Sequence, residues 1–336
     1  MFSSFRHSVR SKRLMAGVAV LAAGMVLTAC SGPKAENSGA ASSGPAAAPT
    51  GGTFKVAVVT HGSAGDAFWN VVKNGAEQAG KDLGISVDYT SDGDPGNQAR
   101  LIDNAVAQKV GGLVVSMANP PALQTSIQNA VKAGIPVITI NSGEDSSATF
   151  GAIAHVGQSE GLAGQGAGQR LKAAGKTHML CVIHEAGNIG QNQRCDGAKQ
   201  AFGNVTTLQV DISNPTDAQS RIRAQLQSDT SIDAVLALNS QVAARAVSAA
   251  KDAGSKAQVA TFDLNSDVVA AIKDGSILFA VDQQQYEQGY LPIVFLKLYK
   301  ENGNTIGGGH PVQTGPGFVD KTNIDTVAPF ATRGTR

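Results

Sequence analysis

The sequence predicts an α/β protein of two lobes, each a parallel sheet flanked by helices, with a ligand cleft between them. Three observations predict it. Short β-rich apolar runs alternate with segments of helical period along most of the chain, which is the pattern of βαβ units. The runs are too numerous for one compact sheet of usual width. Nearly every run ends in a short polar residue, at the strand ends where open α/β sheets bind their ligands.

The chain start belongs to no lobe. Arg6, Arg10, Lys12 and Arg13 form a basic segment without an acid, and the apolar stretch from Leu14 to Leu27 is too short and too rich in Ala and Gly for a membrane span. It ends in Leu27-Thr28-Ala29-Cys30, which resembles the lipobox of bacterial lipoproteins; that resemblance implies a signal peptide over 1–29 and an acylated Cys30 as lipid anchor. Residues 30–52, rich in Ala, Ser, Gly and Pro, have almost nothing to bury and read as a flexible tether. Removing 1–29 takes away four positive charges and no negative one, so the formal net charge moves from +1 to −3. That balance argues against nucleic acid as a partner. If Cys30 carries lipid, Cys181 and Cys195 remain, and an oxidising compartment lets them pair. The alternative is two buried thiols; a thiol count on the denatured, unreduced protein separates the two.

The body follows element by element. Phe54 to Thr60 reads as a buried strand. Asp66 to Leu83 carries Phe68, Val71, Val72, Ala76, Ala79 and Leu83 at helical spacing, with Gly84 as its stop. Ile85, Val87 and Tyr89 alternate as a strand, Leu101, Ala105 and Val106 mark a helix, and Leu113 to Val115 a strand. Asn119-Pro120-Pro121 is a helix start with Asn as cap and Pro in the first turn, and Pro136 to Ile140 is the next strand. The second half repeats the rhythm: helix over 159–174, strand 178–183, helix 193–202, strand 208–212, helix 216–226, strand 234–238, helix 241–253, strand 259–262, helix 266–274 and strand 278–281. An internal echo accompanies it. Val131 to Asn141 and Ala250 to Asp263 each run from a helix end through a glycine and an apolar strand to a polar residue.

The residues that follow the strands are Thr60-His61, Ser116, Asn141-Ser142, His184-Glu185, Asp211, Asn239, Asp263 and Asp282-Gln283. They are nearly all neutral hydrogen-bonding groups or carboxylates, which suits a ligand with many hydroxyls. Asp66-Ala67-Phe68-Trp69 adds aromatic faces. Phe68 and Trp69 are adjacent on a helix and diverge, so one belongs to the core and the other to the ligand face.

With these pieces in place, residues 53 to 320 resemble the type I periplasmic binding proteins of the ribose- and galactose-binding kind. The likeness rests on Asp66-Ala-Phe-Trp69, Pro136-Val-Ile-Thr-Ile-Asn141, Thr261-Phe-Asp263 and Asp282-Gln283…Gly289-Tyr290 in that order and spacing. It implies two Rossmann-like lobes joined by a three-crossing hinge, closing over a sugar or polyol that is passed to an ABC importer permease. Lobe one spans 53–157 plus 284–311, and lobe two 158–283 plus 312–336. The family's contact positions fall on Asp66, Phe68, Trp69, Ser116, Asn141, Ser142, Arg194, Asn239, Phe262, Asp263 and Gln283, with His61 on the rim. The ribose-type pattern has Asp-Arg at Asn141-Ser142 and Asn at Asp66, so ribose itself is not the expected ligand. Several candidates have a second reading: Arg194 could pair with Asp196, Asn239 could cap the helix after it, and Asp263 could cap the next, where Ser266 competes.

Other classes fit less well. Gly164-Gln-Gly-Ala-Gly168 lies inside a helical segment instead of directly after a strand, so it fails as a dinucleotide loop, and no phosphate-loop Lys, nucleophile elbow or HExxH pair accompanies it. The histidines show no zinc spacing, so no metal and no cofactor is expected. A repressor would carry a DNA-binding headpiece where this chain has a signal and a lipid site. A nucleoside or autoinducer receptor of the same fold is the alternative; a nucleobase asks for two stacked aromatics. The expected state is a lipid-anchored monomer on the outer face of the cell membrane.

Overall fold

Val56, Val58 and Val59 are buried because their strand lies in mid-sheet between two layers of helices; strands covered on both faces read as continuous apolar runs. The computed structural model describes residues 54–336 except Ala64. The signal segment, Cys30 and the tether lie outside the described residues.

The chain builds β1 (Lys55–Thr60), α1 (Ala67–Leu83), β2 (Ser86–Ser91), α2 (Pro95–Ala107), β3 (Gly112–Ser116), α3 (Pro120–Lys132), β4 (Val137–Ile140), the single turn α4 (Glu144–Ser147) and β5 (Ala154–Gln158). It continues through α5 (Glu160–Ala173), β6 (Met179–Ile183), α6 (Ile189–Phe202), β7 (Val205–Gln209), α7 (Pro215–Ser228), β8 (Ala234–Ala237), α8 (Ser240–Asp252), β9 (Gln258–Phe262), α9 (Ser266–Asp274) and β10 (Ile277–Asp282). α10 (Gln285–Asn302), β11 (Val312–Gly315), β12 (Gly317–Asp320) and α11 (Ile324–Arg333) complete it. Asx residues begin most of the helices: Asp66, Asp94, Asn119, Asn188, Asn214, Asn239 and Asn265 each accept a backbone N–H of the first turn. Pro95, Pro120 and Pro215 occupy first-turn positions, where a backbone N–H would have no acceptor within the helix.

Two six-stranded sheets result, ordered β11-β5-β4-β3-β1-β2 and β12-β10-β9-β8-β6-β7. Every strand pair is parallel except β10 with β12. Both lobes share one winding, so β4 in the first corresponds to β9 in the second, and the internal echo falls on that pair of strands. In each sheet the order reverses beside the first strand of the lobe, between β1 and β3 and between β6 and β8, which is where such sheets open a crevice.

The chain passes between the sheets after β5, after β10 and between β11 and β12. β11 pairs with β5, so the first sheet continues through Gly315 instead of ending its return near Pro311. β12 then joins the second sheet. The strand expected over Leu208–Ile212 lies at Val205–Gln209, because Val210 and Ile212 turn inward only after the strand has ended. The helix expected from Gln193 begins at Ile189, where Asn188 caps it. Cys181 in β6 and Cys195 in α6 are disulfide-bonded.

Candidate functional site

The C-terminal ends of the strands in both lobes converge on one small cavity. Two of the strand ends turn unusually. Asn141 after β4 and Asp263 after β9 have φ of 61° and 68°, a left-handed conformation that costs Asn and Asp less than other side chains. Both side chains line the cavity, and Gln283 joins them, its Oε1 accepting from Asn141 Nδ2 at 3.1 Å and its Nε2 donating to Asp263 Oδ1 at 2.7 Å.

The floor and one wall are aromatic. Phe68 and Trp69 both line the cavity, their rings 4.9 Å apart and nearly perpendicular, and Trp69 meets the His61 ring edge-on at 4.6 Å. Both reach the cavity because they sit in the first turn of α1, whose end faces the cleft. Asp66 caps that turn, its Oδ1 accepting the Phe68 N–H at 2.9 Å. His61 follows β1; its backbone N–H donates to Ser116 Oγ at 3.0 Å and its Nδ1 lies 2.7 Å from the same oxygen. The Ser116 hydroxyl is thus free to donate to Nδ1, leaving Nε2–H toward Glu185, 3.7 Å away.

Lobe two supplies the opposite wall. Gln191 ties down the loop after β6, its Oε1 accepting the backbone N–H groups of His184 at 2.9 Å and Glu185 at 3.3 Å. Asn239 caps α8 through Oδ1, which accepts the Gln241 N–H at 2.7 Å, and lines the cavity as well. Arg194 is buried and pairs with Glu160, Nε to Oε2 at 2.6 Å and Nη2 to Oε1 at 2.8 Å, and not with Asp196. The Phe262 ring lies 4.5 Å from the guanidinium carbon. Asp263 does not cap α9; Asn265 does, its Oδ1 accepting the Val268 N–H at 2.8 Å. Asp263 instead accepts from Gln283 Nε2 at 2.7 Å.

Burial governs the electrostatics. It pushes the Asp263 carboxyl up to about 7, with Asp66 and Glu160 adding to the rise and Arg194 and Gln283 opposing it. Burial, then the neighbouring Glu185, raise Asp66 to about 6. Burial lowers His61 and takes His184 down to about 4, so both rings are neutral at pH 7. The cavity offers carboxyl and amide acceptors and imidazole, amide and guanidinium donors around an aromatic face. Such a set pairs with hydroxyls from several sides.

The lobes touch around this cavity. Gln241 of α8 accepts the Ala67 N–H at 3.3 Å and donates to Gly65 O at 3.5 Å. The Ile189 N–H donates to Ala118 O at 3.0 Å, and Ser142 Oγ donates to Asn188 Oδ1 at 3.2 Å. Of the residues expected from sequence, His61, Asp66, Phe68, Trp69, Asn141, Arg194, Asn239, Asp263 and Gln283 line the cavity. Ser116, Ser142 and Phe262 stand one layer behind, holding His61, Asn188 and Arg194. His184 and Glu185, read from sequence as strand-end residues but not as contacts, line it too, as do Asn188, Gln191 and Leu238, which were not expected; Asn188 had a usable signal as an Asx residue just ahead of a helix. Among the described residues no group of three His, Cys, Asp or Glu could hold a metal ion, and no helix is long and apolar enough to cross a membrane.

Fold and site together define a two-lobed solute-binding protein. Residues 56–304 match the periplasmic binding protein domain, and the chain belongs to that family. It is similar to a carbohydrate transporter of Acidothermus cellulolyticus 11B solved in complex with myo-inositol, at 44% identity over 84% of this chain and 100% of that one, with a TM-score of 0.83. It is also similar to the xylose/arabinose-binding protein XylF of Sulfolobus acidocaldarius, 24% identical over 81% of this chain and 72% of that protein. The ribose import binding protein RbsB of Bacillus subtilis is 27% identical over 73% of this chain and 79% of its own length.

Proposed function

We propose that this protein captures a neutral cyclic polyol of the inositol class, or a closely similar sugar, and delivers it to the permease of an ABC importer. The observation that carries the reading is the cavity itself. Polar ends of strands from both lobes surround an aromatic face, and the similar protein from Acidothermus cellulolyticus was solved in complex with myo-inositol. The Asp66, Glu185 and Asp263 carboxyls can pair with hydroxyls in either protonation state and repel a second anion when ionised. A nucleoside fits less well: Phe68 and Trp69 stand at 83° to each other and do not form two faces of a base sandwich. The similar proteins are named for binding xylose, arabinose and ribose, and binding and release is the whole of the proposed chemistry.

Contacts made with both lobes at once favour the closed arrangement, because only a difference in affinity between two states shifts their equilibrium. The closed form then docks on the permease. Acylation at Cys30, a tether over 30–52 that begins with that residue, and action as a monomer outside the cell membrane complete the proposal.

A thermal-shift panel of inositol isomers, pentoses, hexoses, nucleosides and amino acids tests it. A ligand at a thousandfold excess over its Kd adds about 4 kcal/mol, or roughly 8 to 16 °C for a domain of 150 to 250 residues. A shift of that order with an inositol or a neutral sugar supports the reading; a shift with a nucleoside or amino acid alone overturns it.

A further inference from the structure

Glu160 is buried, at 4% exposure, yet does not line the cavity. It is the first residue of α5, two positions after Gln158 ends β5, and so stands at the first passage between the lobes. Both its oxygens are engaged by Arg194, and Gln158 Nε2 also donates to Oε2 at 2.9 Å. Arg194 Nη1 reaches Leu238 O at 3.3 Å. With the Phe262 ring against the guanidinium, three of its five N–H groups are committed and its plane is fixed. The other two N–H groups remain for the cavity that Arg194 lines.

The glycine-rich stretch from Gly164 to Gly168 makes this pairing possible. A Cβ on Gly164 would lie 2.0 Å from Arg194 O, and one on Gly197 would lie 2.2 Å from Gly161 O. Only glycine lets the backbones of α5 and α6 approach so closely. That approach brings the start of α5 alongside Arg194. The motif that failed as a dinucleotide loop thus has a structural role.

Charge adds a second consequence. Arg194 is the cation of the cavity wall, and Glu160 cancels it where it stands; Asp66, Glu185 and Asp263 leave no positive surplus. We propose that Glu160 is a positioning and specificity-determining residue, which aims the free N–H groups of Arg194 at the ligand while cancelling its charge, so that the cleft takes neutral polyols and discriminates against their carboxylate analogues. The inference rests on the polyol reading above and adds to it the residue that sets the charge preference. Through Gln158 it also ties Arg194 to the passage between the lobes.

Calorimetry on the full chain tests it, with myo-inositol as the neutral probe and glucuronate as the anionic one. Glu160→Gln keeps the shape and one acceptor but frees the charge of Arg194. It is expected to weaken myo-inositol roughly tenfold and to narrow the ratio of the two dissociation constants by about tenfold or more. In an Arg194→Met background, Glu160→Gln should change neither constant by more than about twofold, because its action passes through Arg194. Glu160→Asp, which keeps the charge but loses the reach, should weaken myo-inositol while preserving the ratio. If Glu160→Gln alone does not fold, the Glu160→Asp single variant and the double variant decide: the double variant removes the buried charges together and should match Arg194→Met in both constants. An unchanged ratio in Glu160→Gln, or an equal effect with and without Arg194, overturns the proposal. A ligand-free readout separates its failure from failure of the polyol reading. Glu160 helps to raise the Asp263 carboxyl, so the carbon-13 signal of Asp263 should titrate at lower pH in Glu160→Gln whatever the natural ligand is. An unmoved titration removes the electrostatic role.

Discussion

Asp263→Asn separates the cost of burying a carboxyl from every other contribution to cleft closure. Asp263 is 3% exposed, and its carboxyl is pushed up from 3.8 to about 7, chiefly by burial. Opening the lobes returns it to water and toward its ordinary value. An acid whose pKa is raised in the closed form favours closing below pH 4. That advantage is lost progressively as pH rises and is gone above pH 7. Three pKa units correspond to about 4 kcal/mol. The asparagine is neutral at every pH, has nearly the same shape and can still accept from Gln283. The free energy of closing the empty protein should therefore differ little between wild type and Asp263→Asn near pH 4, with the gap widening to about 4 kcal/mol in favour of the variant at pH 8. Energy transfer between dyes, one on the exposed face of α1 and one on that of α8, reads the closed fraction across this range. The difference between the two proteins is the decisive quantity, since Asp66 contributes with the same sign and His61 and His184 with the opposite one. Parallel pH profiles would refute the reasoning, because Asp263 would then be as well solvated in the closed form as in the open.

Other consequences follow from individual contacts. Gln241→Ala removes the bridge to Ala67 and Gly65 without touching the cavity, and should weaken ligand binding roughly five- to tenfold, mainly through faster release in stopped-flow traces. Replacing Cys181 and Cys195 by alanine opens the link across a sequence separation of 14; a loss of about 3 kcal/mol is expected, seen as a melting temperature lower by roughly 6 to 12 °C. Gly164→Ala places a methyl against Arg194 O and should cost about 1 to 3 kcal/mol in urea denaturation. A variant as stable as wild type would show that α5 and α6 can part freely.

The sequence made the sheets legible because their central strands are buried on both faces and read as plain apolar runs. β5 escaped because Ala154, His155 and Gly157 lack strand character; His155 is nonetheless buried, its Nδ1 2.9 Å from Thr139 Oγ1 on the neighbouring strand. β11 and β12 are four residues each and are defined by their partners. The polar residues at the strand ends gave most of the cavity, since parallel sheets place such residues at one edge. Asn141 and Asp263 even announced their equivalence through the repeated strand pattern, though not the left-handed turn at each. Glu160 was invisible for a physical reason: its partner lies on another helix, and the glycines that bring the two together look like any flexible motif until the helices are packed. Asn188 and Gln191 were lost when the start of α6 was placed four residues late, at Gln193.

The most direct test of the account is the crystal structure of the protein with myo-inositol. The polyol ring should lie against Trp69 between the two lobes, with hydroxyls on Asp66, Asp263 and the free N–H groups of Arg194. A ligand seated outside that cavity, or a polyol held by one lobe with the cleft open, would contradict it.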